Sequence, residues 1–254
     1  YKNYKKLISE SPTLKYLKNL TGKISAIIVP HQIGIPADVY GIKNYIKQFN
    51  IPIIEDAACA IGSKYTRNNE IRNIGSPIGD LVCFSFHPRK VLTTGDGGMV
   101  TANNKKNIEK IKLLRNHGMN IDPFKRKKSN KYFFDVHIES GYNFRLTDIQ
   151  ASIGIEQLSK LDEIVKERRM IASKYKEELD GLTYLNTFNE ENGNYTNWHS
   201  FPVNISSNQQ SKDLVRFLFS NGIYAKTGVM NAHEEPPYIK QNWKLKNSES
   251  LFKK

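Results

Sequence analysis

Cysteine is nearly absent from these 254 residues: only Cys59 and Cys83 occur, and they share no CxxC-type spacing. Two thiols cannot build a disulfide framework, so reduced thiols and a cytoplasmic setting are the default expectation. The six histidines, at 31, 87, 117, 137, 199 and 233, include no HxxxH pair, and no metal site is expected. No run of about 18 apolar residues is present, which argues against a membrane-spanning helix. The opening Tyr1-Lys-Asn-Tyr-Lys-Lys6 lacks both an apolar stretch and a small-residue cleavage site, so it does not read as a signal peptide. It also lacks an initiating Met and reads as the start of a piece of a longer chain. Neither GxxxxGK[ST] nor GxGxxG occurs, so the two commonest phosphate-loop fingerprints are missing.

Positive charge, by contrast, is in excess, at a formal +13. The basic residues are spread along the chain, and the densest cluster, Lys125 to Lys128, has no interleaved aromatic. That pattern suits a solvated surface better than a nucleic-acid face, and no nucleic-acid partner is expected. The same charge favours an anionic, phosphate-bearing substrate.

The first two-thirds alternate apolar runs with helical periodicity. Ser25 to Val29, Ile51 to Ile54, Asp80 to Phe86 and Gly98 to Ala102 read as strands. Ala37 to Phe49 reads as a helix, with Val39, Ile42, Ile46 and Phe49 at three- and four-residue spacing. This rhythm predicts an α/β fold with a mostly parallel sheet. Thr147 to Leu179 reads as one long helix and Ser211 to Asn221 as another, stopped by Gly222. Leu182 to Val203 is mixed, and no final element is evident before Lys254. Residues 1–165 are expected to form a large domain and 166–254 a smaller α/β domain, joined through the long helix.

Two segments carry candidate chemistry. The acidic pair Glu55-Asp56 follows Ile51-Pro-Ile-Ile54, and carboxyl ends of strands are where ligands sit in open α/β sheets. A carboxylate there can ligate a metal, orient a ribose or pair with a protonated ring nitrogen; Asp56 also reads as a simple helix N-cap. The second segment is Phe84-Ser-Phe-His-Pro-Arg-Lys90, followed by the glycine-rich Thr93-Thr-Gly-Asp-Gly-Gly98. Its lysine suits either phosphate binding or service as a desolvated, nucleophilic amine. Asp56 and Lys90, 34 residues apart, together suggest a pyridoxal phosphate enzyme. Such an enzyme needs an acid opposite the pyridine nitrogen, a lysine for the aldehyde, and hydroxyls or amides for the phosphate; Ser85 is a candidate hydroxyl.

Ile54-Glu-Asp-Ala-Ala-Cys-Ala-Ile-Gly62, Gly79 to Lys90 and Gly95-Asp-Gly-Gly98 resemble motifs of the DegT/DnrJ/EryC1/StrS family of sugar aminotransferases. So do Leu114-Arg-Asn-His-Gly118, Gly141-Tyr-Asn-Phe-Arg-Leu-Thr-Asp-Ile-Gln-Ala151 and His233-Glu-Glu-Pro-Pro-Tyr238. The resemblance spans roughly residues 24 to 238 in the family's order. It implies aminotransferase fold type I with pyridoxal 5'-phosphate as cofactor. The activity implied is transfer of an amino group, from glutamate, to a keto sugar on a nucleoside diphosphate. By the same resemblance Lys90 is the Schiff-base lysine, Asp56 the ring-nitrogen partner and Ser85 a phosphate ligand. Cys59 lies beside the ring where the family usually has Gln or His. Asn143 reaches the phosphate of a neighbouring subunit's cofactor, which implies a homodimer with shared active sites. His233 lies near the sugar. The family's amino-terminal phosphate turn has no counterpart in residues 1–23, which offer only Thr21-Gly22, and its last segment is also not evident; the chain is expected to be truncated at both ends. Alternatives are a sugar dehydratase, which would carry His in place of Lys90, and a non-catalytic regulatory protein with the same fold.

Overall fold

A computed structural model of the chain describes residues 24–119, 134, 136–190, 193–205, 208–241 and 243–252. The basic cluster at 125–128 and the Thr21-Gly22 pair lie outside the described residues.

Strand β1, Ile27–Pro30, is followed by helix α1, Val39–Ile46, and strand β2, Ile53–Asp56. Asp38 caps α1 by accepting the Gly41 N–H at 2.8 Å, which starts the helix two residues later than its apolar spacing suggests. A single 3-10 turn, Lys47–Phe49, and a left-handed Asn50 (φ 49) bring the chain back to the sheet. Strands β3, Lys64–Arg67, and β4, Glu70–Asn73, form a hairpin. Its two turn residues, Asn68 and Asn69, both have positive φ, 49 and 64, the backbone that a two-residue hairpin demands and Asn tolerates. Strands β5, Leu81–Ser85, and β6, Gly98–Ala102, complete the principal sheet, ordered β1-β2-β5-β6. The first three strands are parallel, and β6 runs antiparallel to β5. The sheet is therefore mostly parallel, as the strand–helix–strand rhythm predicts.

Val29, Val39, Ile53, Val82 and Ile74 form the core beneath this sheet, with Tyr65 from the hairpin. The acidic pair does not follow β2 but forms its last two residues; Glu55 is tolerated inside because four donors meet its carboxylate, as described below.

Helix α2, Lys105–Leu114, capped by Asn104, follows the sheet. The long helix expected from Thr147 to Leu179 is two helices, α3, Asp148–Ser159, and α4, Leu161–Leu179. Thr147 and Gln150 form a capping box at the start of α3. The break falls at Lys160, where the backbone opens to φ −96, ψ −1. Gly154, the only obvious breaker in the sequence, lies inside α3 without ending it.

The chain divides into two compact units. The larger takes Ile24–Lys174 and Glu190–Ser200; the smaller takes Tyr175–Asn189 and the chain from Phe201 onward. In the smaller unit, β7, Leu185–Thr187, pairs antiparallel with β8, Val203–Ile205. Helix α5, Asn208–Ser220, ends at a left-handed Gly222 (φ 75), the stop expected there. A last helix, α6, Lys246–Phe252, corrects the expectation that no element closes the chain. Its polar Lys-Asn-Ser-Glu start hides it from apolar periodicity.

Candidate active site

Parallel strands β2 and β5 end side by side, with Asp56 in register with Cys83. Side chains alternate across a strand, so Glu55 and Asp56 face opposite ways.

Glu55 is fully buried. Its Oε1 accepts the Ile78 and Gly79 N–H groups at 2.8 and 2.7 Å. Its Oε2 accepts the Tyr65 hydroxyl at 3.1 Å and lies 3.2 Å from His31 Nε2. His31 Nδ1 accepts the Ala37 N–H at 3.1 Å, so the ring's proton sits on Nε2 and is donated to Glu55. Burial alone would raise the Glu55 pKa. The His31 hydrogen bond and the Gly79 and Ile78 amides outweigh it and hold the carboxyl below its usual value. Burial, then the adjacent Glu55 charge, push the Tyr65 phenol far above its ordinary range, so it stays a donor.

Asp56 is half-buried on the other side. Its Oδ1 accepts the Ala58 N–H at 3.0 Å, and its Oδ2 has no hydrogen-bond partner among the described residues. That bond caps a tight turn; no helix follows, so the N-cap reading is corrected. Cys59 follows this turn, next to Ala58.

The end of β5 supplies the other groups. Ser85 Oγ accepts the His87 N–H at 3.4 Å. The strand ends at Ser85, and a turn through Pro88, closed by Lys90 N–H to His87 O at 2.9 Å, follows. From it the Lys90 side chain reaches back over the loop that begins at Asp56, with Nζ 3.2 Å from Cys59 Sγ. Glycines return the chain to β6. Gly97 has φ 144, and a Cβ there would come 2.8 Å from both Leu146 Cδ1 and Thr94 Oγ1. Asp56, Cys59, Ser85 and Lys90 thus gather at one end of the sheet, where open α/β folds bind ligands.

Asn143 lies elsewhere in the larger unit, exposed, with Oδ1 accepting Arg145 Nε–H at 3.4 Å. It forms a backbone bridge with buried Asn116, so the segments Leu114–Gly118 and Gly141–Ala151 pack on one another through their main chains. His117 N–H bonds Tyr142 O and Phe144 N–H bonds Arg115 O, both at 2.9 Å. His233 belongs to the smaller unit, in a short 3-10 turn, with Nε2 3.3 Å from Glu249 Oε1.

The sequence profile of the DegT/DnrJ/EryC1/StrS aminotransferase family matches residues 14–254. The chain belongs to this family. Among its curated relatives is the UDP-4-amino-4,6-dideoxy-N-acetyl-beta-L-altrosamine transaminase of Campylobacter jejuni, 35% identical over 246 residues, which covers 94% of this chain and 61% of the relative. Uncharacterized protein MJ1066 of Methanocaldococcus jannaschii is 39% identical over 199 residues, 78% of this chain and 50% of that protein. The chain therefore spans half to three-fifths of these relatives' length. Among solved structures, Helicobacter pylori PseC, an aminotransferase involved in the biosynthesis of pseudoaminic acid, superposes with a TM-score of 0.81 at 26% identity. The match covers 94% of this chain and 62% of PseC. S. venezuelae DesV, in complex with a ketimine intermediate, superposes at 0.76 with 28% identity, covering 95% of this chain and 61% of DesV.

Two sets of residues around this DegT-family site escape the reading of the sequence. The His31–Glu55–Tyr65 cluster joins residues up to 34 positions apart. Buried Asn197 binds the loop carrying Cys59 from more than 130 residues downstream, and its buried neighbour Thr196 donates to Gly34 O. Thr196 and Asn197 lie in an Asn- and Thr-rich stretch with no periodic signal, and nothing in the spacing of His31, Glu55 and Tyr65 marks them as partners.

Proposed function

We propose that this protein is a pyridoxal 5'-phosphate-dependent aminotransferase that moves an amino group from glutamate to a keto sugar on a nucleoside diphosphate. The observation that carries the reading is the Lys90 amine resting on the loop that starts at Asp56. The donor set fits the cofactor: a lysine amine, a half-buried carboxylate with one uncommitted oxygen, and a serine hydroxyl at the adjacent strand end. The names of the C. jejuni transaminase and of PseC support a nucleotide-linked amino sugar as the substrate class.

When bound, the cofactor supplies an electron sink for the carbon being deprotonated. Asp56 would keep the ring nitrogen protonated through its uncommitted Oδ2, and Ser85 would hold the phosphate. Cys59 would lie beside the ring. Lys90 would act as the base that removes the proton from the donor's α-carbon and, in the separate second half of the reaction, as the acid that protonates the sugar carbon. His233 would contact the sugar. The +13 charge favours approach of a diphosphate substrate.

The protein would act as a homodimer, with Asn143 reaching the partner's cofactor phosphate. Exposed apolar residues support this: Tyr142 and Phe144 stack at 4.9 Å beside Asn143, and Ile149, Ile155 and Leu158 on α3 are exposed as well. A patch of that kind marks an interaction surface. Ile155→Glu should give a monomer by light scattering with no cofactor signal from the partner site; an unchanged dimer would refute this surface. No helix among the described residues is long and apolar enough to cross a membrane, and a cytoplasmic location is proposed with the two free thiols.

Lys90→Ala in the full-length protein decides the main reading. It should abolish the visible absorbance band of the lysine-linked cofactor and lower turnover by about 10³-fold or more. A variant that keeps both the band and turnover would overturn the assignment.

A further inference from the structure

The loop that carries Cys59 is held from behind by one side chain. Asn197 is fully buried, with 0% of its surface exposed. Its Nδ2 donates to the carbonyls of Cys59 and Ile61 at 2.9 and 2.8 Å. Its Oδ1 accepts the His199 N–H at 2.8 Å, and its own N–H goes to Ser63 Oγ at 3.0 Å. Both amide protons are therefore spent on two carbonyls of one loop. No other small side chain offers two donors on one planar nitrogen: Ser has one, and ionised Asp has none.

The surroundings are built to keep Asn197 there. A Cβ on Gly34, at φ +96, would come 2.1 Å from Asn197 Oδ1, so glycine provides the space. Ser63 Oγ and Thr196 Oγ1 both donate to Gly34 O, at 2.6 and 2.9 Å. The segment is anchored by Arg169, whose guanidinium bonds both Glu190 oxygens at 2.6 and 2.9 Å and Thr196 O at 2.8 Å. On the opposite side of the same loop, Cys59 Sγ meets the Lys90 amine at 3.2 Å.

We propose that Asn197 is a positioning residue for Lys90: by bridging the Cys59 and Ile61 carbonyls it fixes the Cys59 thiol within hydrogen-bonding reach of the lysine amine. Nothing in the reaction asks Asn197 to touch substrate. Its effect passes through the loop. The consequence for turnover rests on the proposal that Lys90 carries the cofactor; the thiol–amine geometry does not.

The test uses the full-length protein in two forms. In cofactor-free protein, o-phthalaldehyde condenses with a thiol and an amine held within hydrogen-bonding reach to give a fluorescent isoindole. Wild type should form it rapidly, and Cys59→Ala and Lys90→Ala, as controls, should not. Asn197→Ser, which keeps one donor, should slow condensation about tenfold at a temperature where circular dichroism shows it folded. In cofactor-loaded protein the same variant should move the pH midpoint of the visible band, which a merely structural role would not do. Should Asn197 variants fail to fold, Ser63→Ala, which frees the Asn197 main chain, should slow condensation in the same direction. Unchanged condensation and an unchanged midpoint in a folded variant would overturn the inference while leaving the cofactor reading intact. Isoindole in wild type without any cofactor band would overturn the cofactor reading and leave the geometry standing.

Discussion

Glu55 and Asp56 are adjacent on one strand, carry the same functional group, and end in opposite circumstances. On one face, four donors close around Glu55, and its charge is consumed in holding β2 to the Ile78–Gly79 turn and the hairpin. On the other, Asp56 spends one oxygen on its own turn and keeps the second open beside a lysine-bearing loop. A saturated carboxylate is part of the scaffold, because a buried charge is tolerated only when its hydrogen bonds are complete. An unsaturated, half-buried one is available to a ligand. Exposure and partner count therefore separate the two faces where residue type does not.

The largest effect expected to test that contrast is on the open face. Asp56→Asn keeps the shape and the bond to Ala58 but removes the charge that would hold the ring nitrogen protonated. Turnover should fall by about 10³-fold, on the scale of losing one preorganised electrostatic partner, with an unchanged thermal midpoint. A variant of normal turnover would erase the functional half of the comparison.

The reverse pattern is expected on the closed face. Glu55→Gln places a donor where Oε1 or Oε2 accepts, and takes the acceptor from two of the four N–H or O–H groups, since each oxygen meets two of them. The cost should be about 3 kcal/mol of unfolding free energy, within the range for breaking a buried charged network, read as a lowered urea midpoint. Turnover per folded molecule at low temperature should stay near wild type. If stability held and turnover collapsed, Glu55 would belong with the reactive groups and the division between the faces would fail.

What the sequence discloses follows the same division. Asp56, Ser85 and Lys90 are legible because a strand end, a proline and a glycine-rich return each leave a mark in the residue order. The apolar runs disclose the parallel strands for a similar reason: each strand carries a buried apolar residue into the core, Val29, Ile53 and Val82. Saturation is not legible. Whether Glu55 lies past a strand or inside one depends on His31, Tyr65 and two amides brought in from elsewhere, and a charge within a short run reads as its terminus. The β3–β4 hairpin is obscured by its composition, Lys-Tyr-Thr-Arg against Glu-Ile-Arg-Asn, in which only Tyr65 is buried. Asn197 is hidden more completely, since its two acceptors are main-chain carbonyls that any sequence supplies.

The most delicate expected difference is in acid. Glu55 has a pKa held below its ordinary value of 4.5 in the folded chain, so the folded state binds fewer protons than the unfolded chain in that range. Its contribution to stability is full above the unfolded carboxyl pKa and is lost as pH falls through the lower, folded one. Wild-type stability should therefore decline on acidification below about pH 4.5 with a component that Glu55→Gln lacks, because Gln has nothing to protonate. Asp56→Asn should leave that component in place. Urea midpoints measured from neutral pH down to the acid limit of folding would compare the three proteins. Parallel acid profiles for wild type and Glu55→Gln would mean that the buried cluster carries no net charge, and that its hydrogen bonds alone hold the closed face.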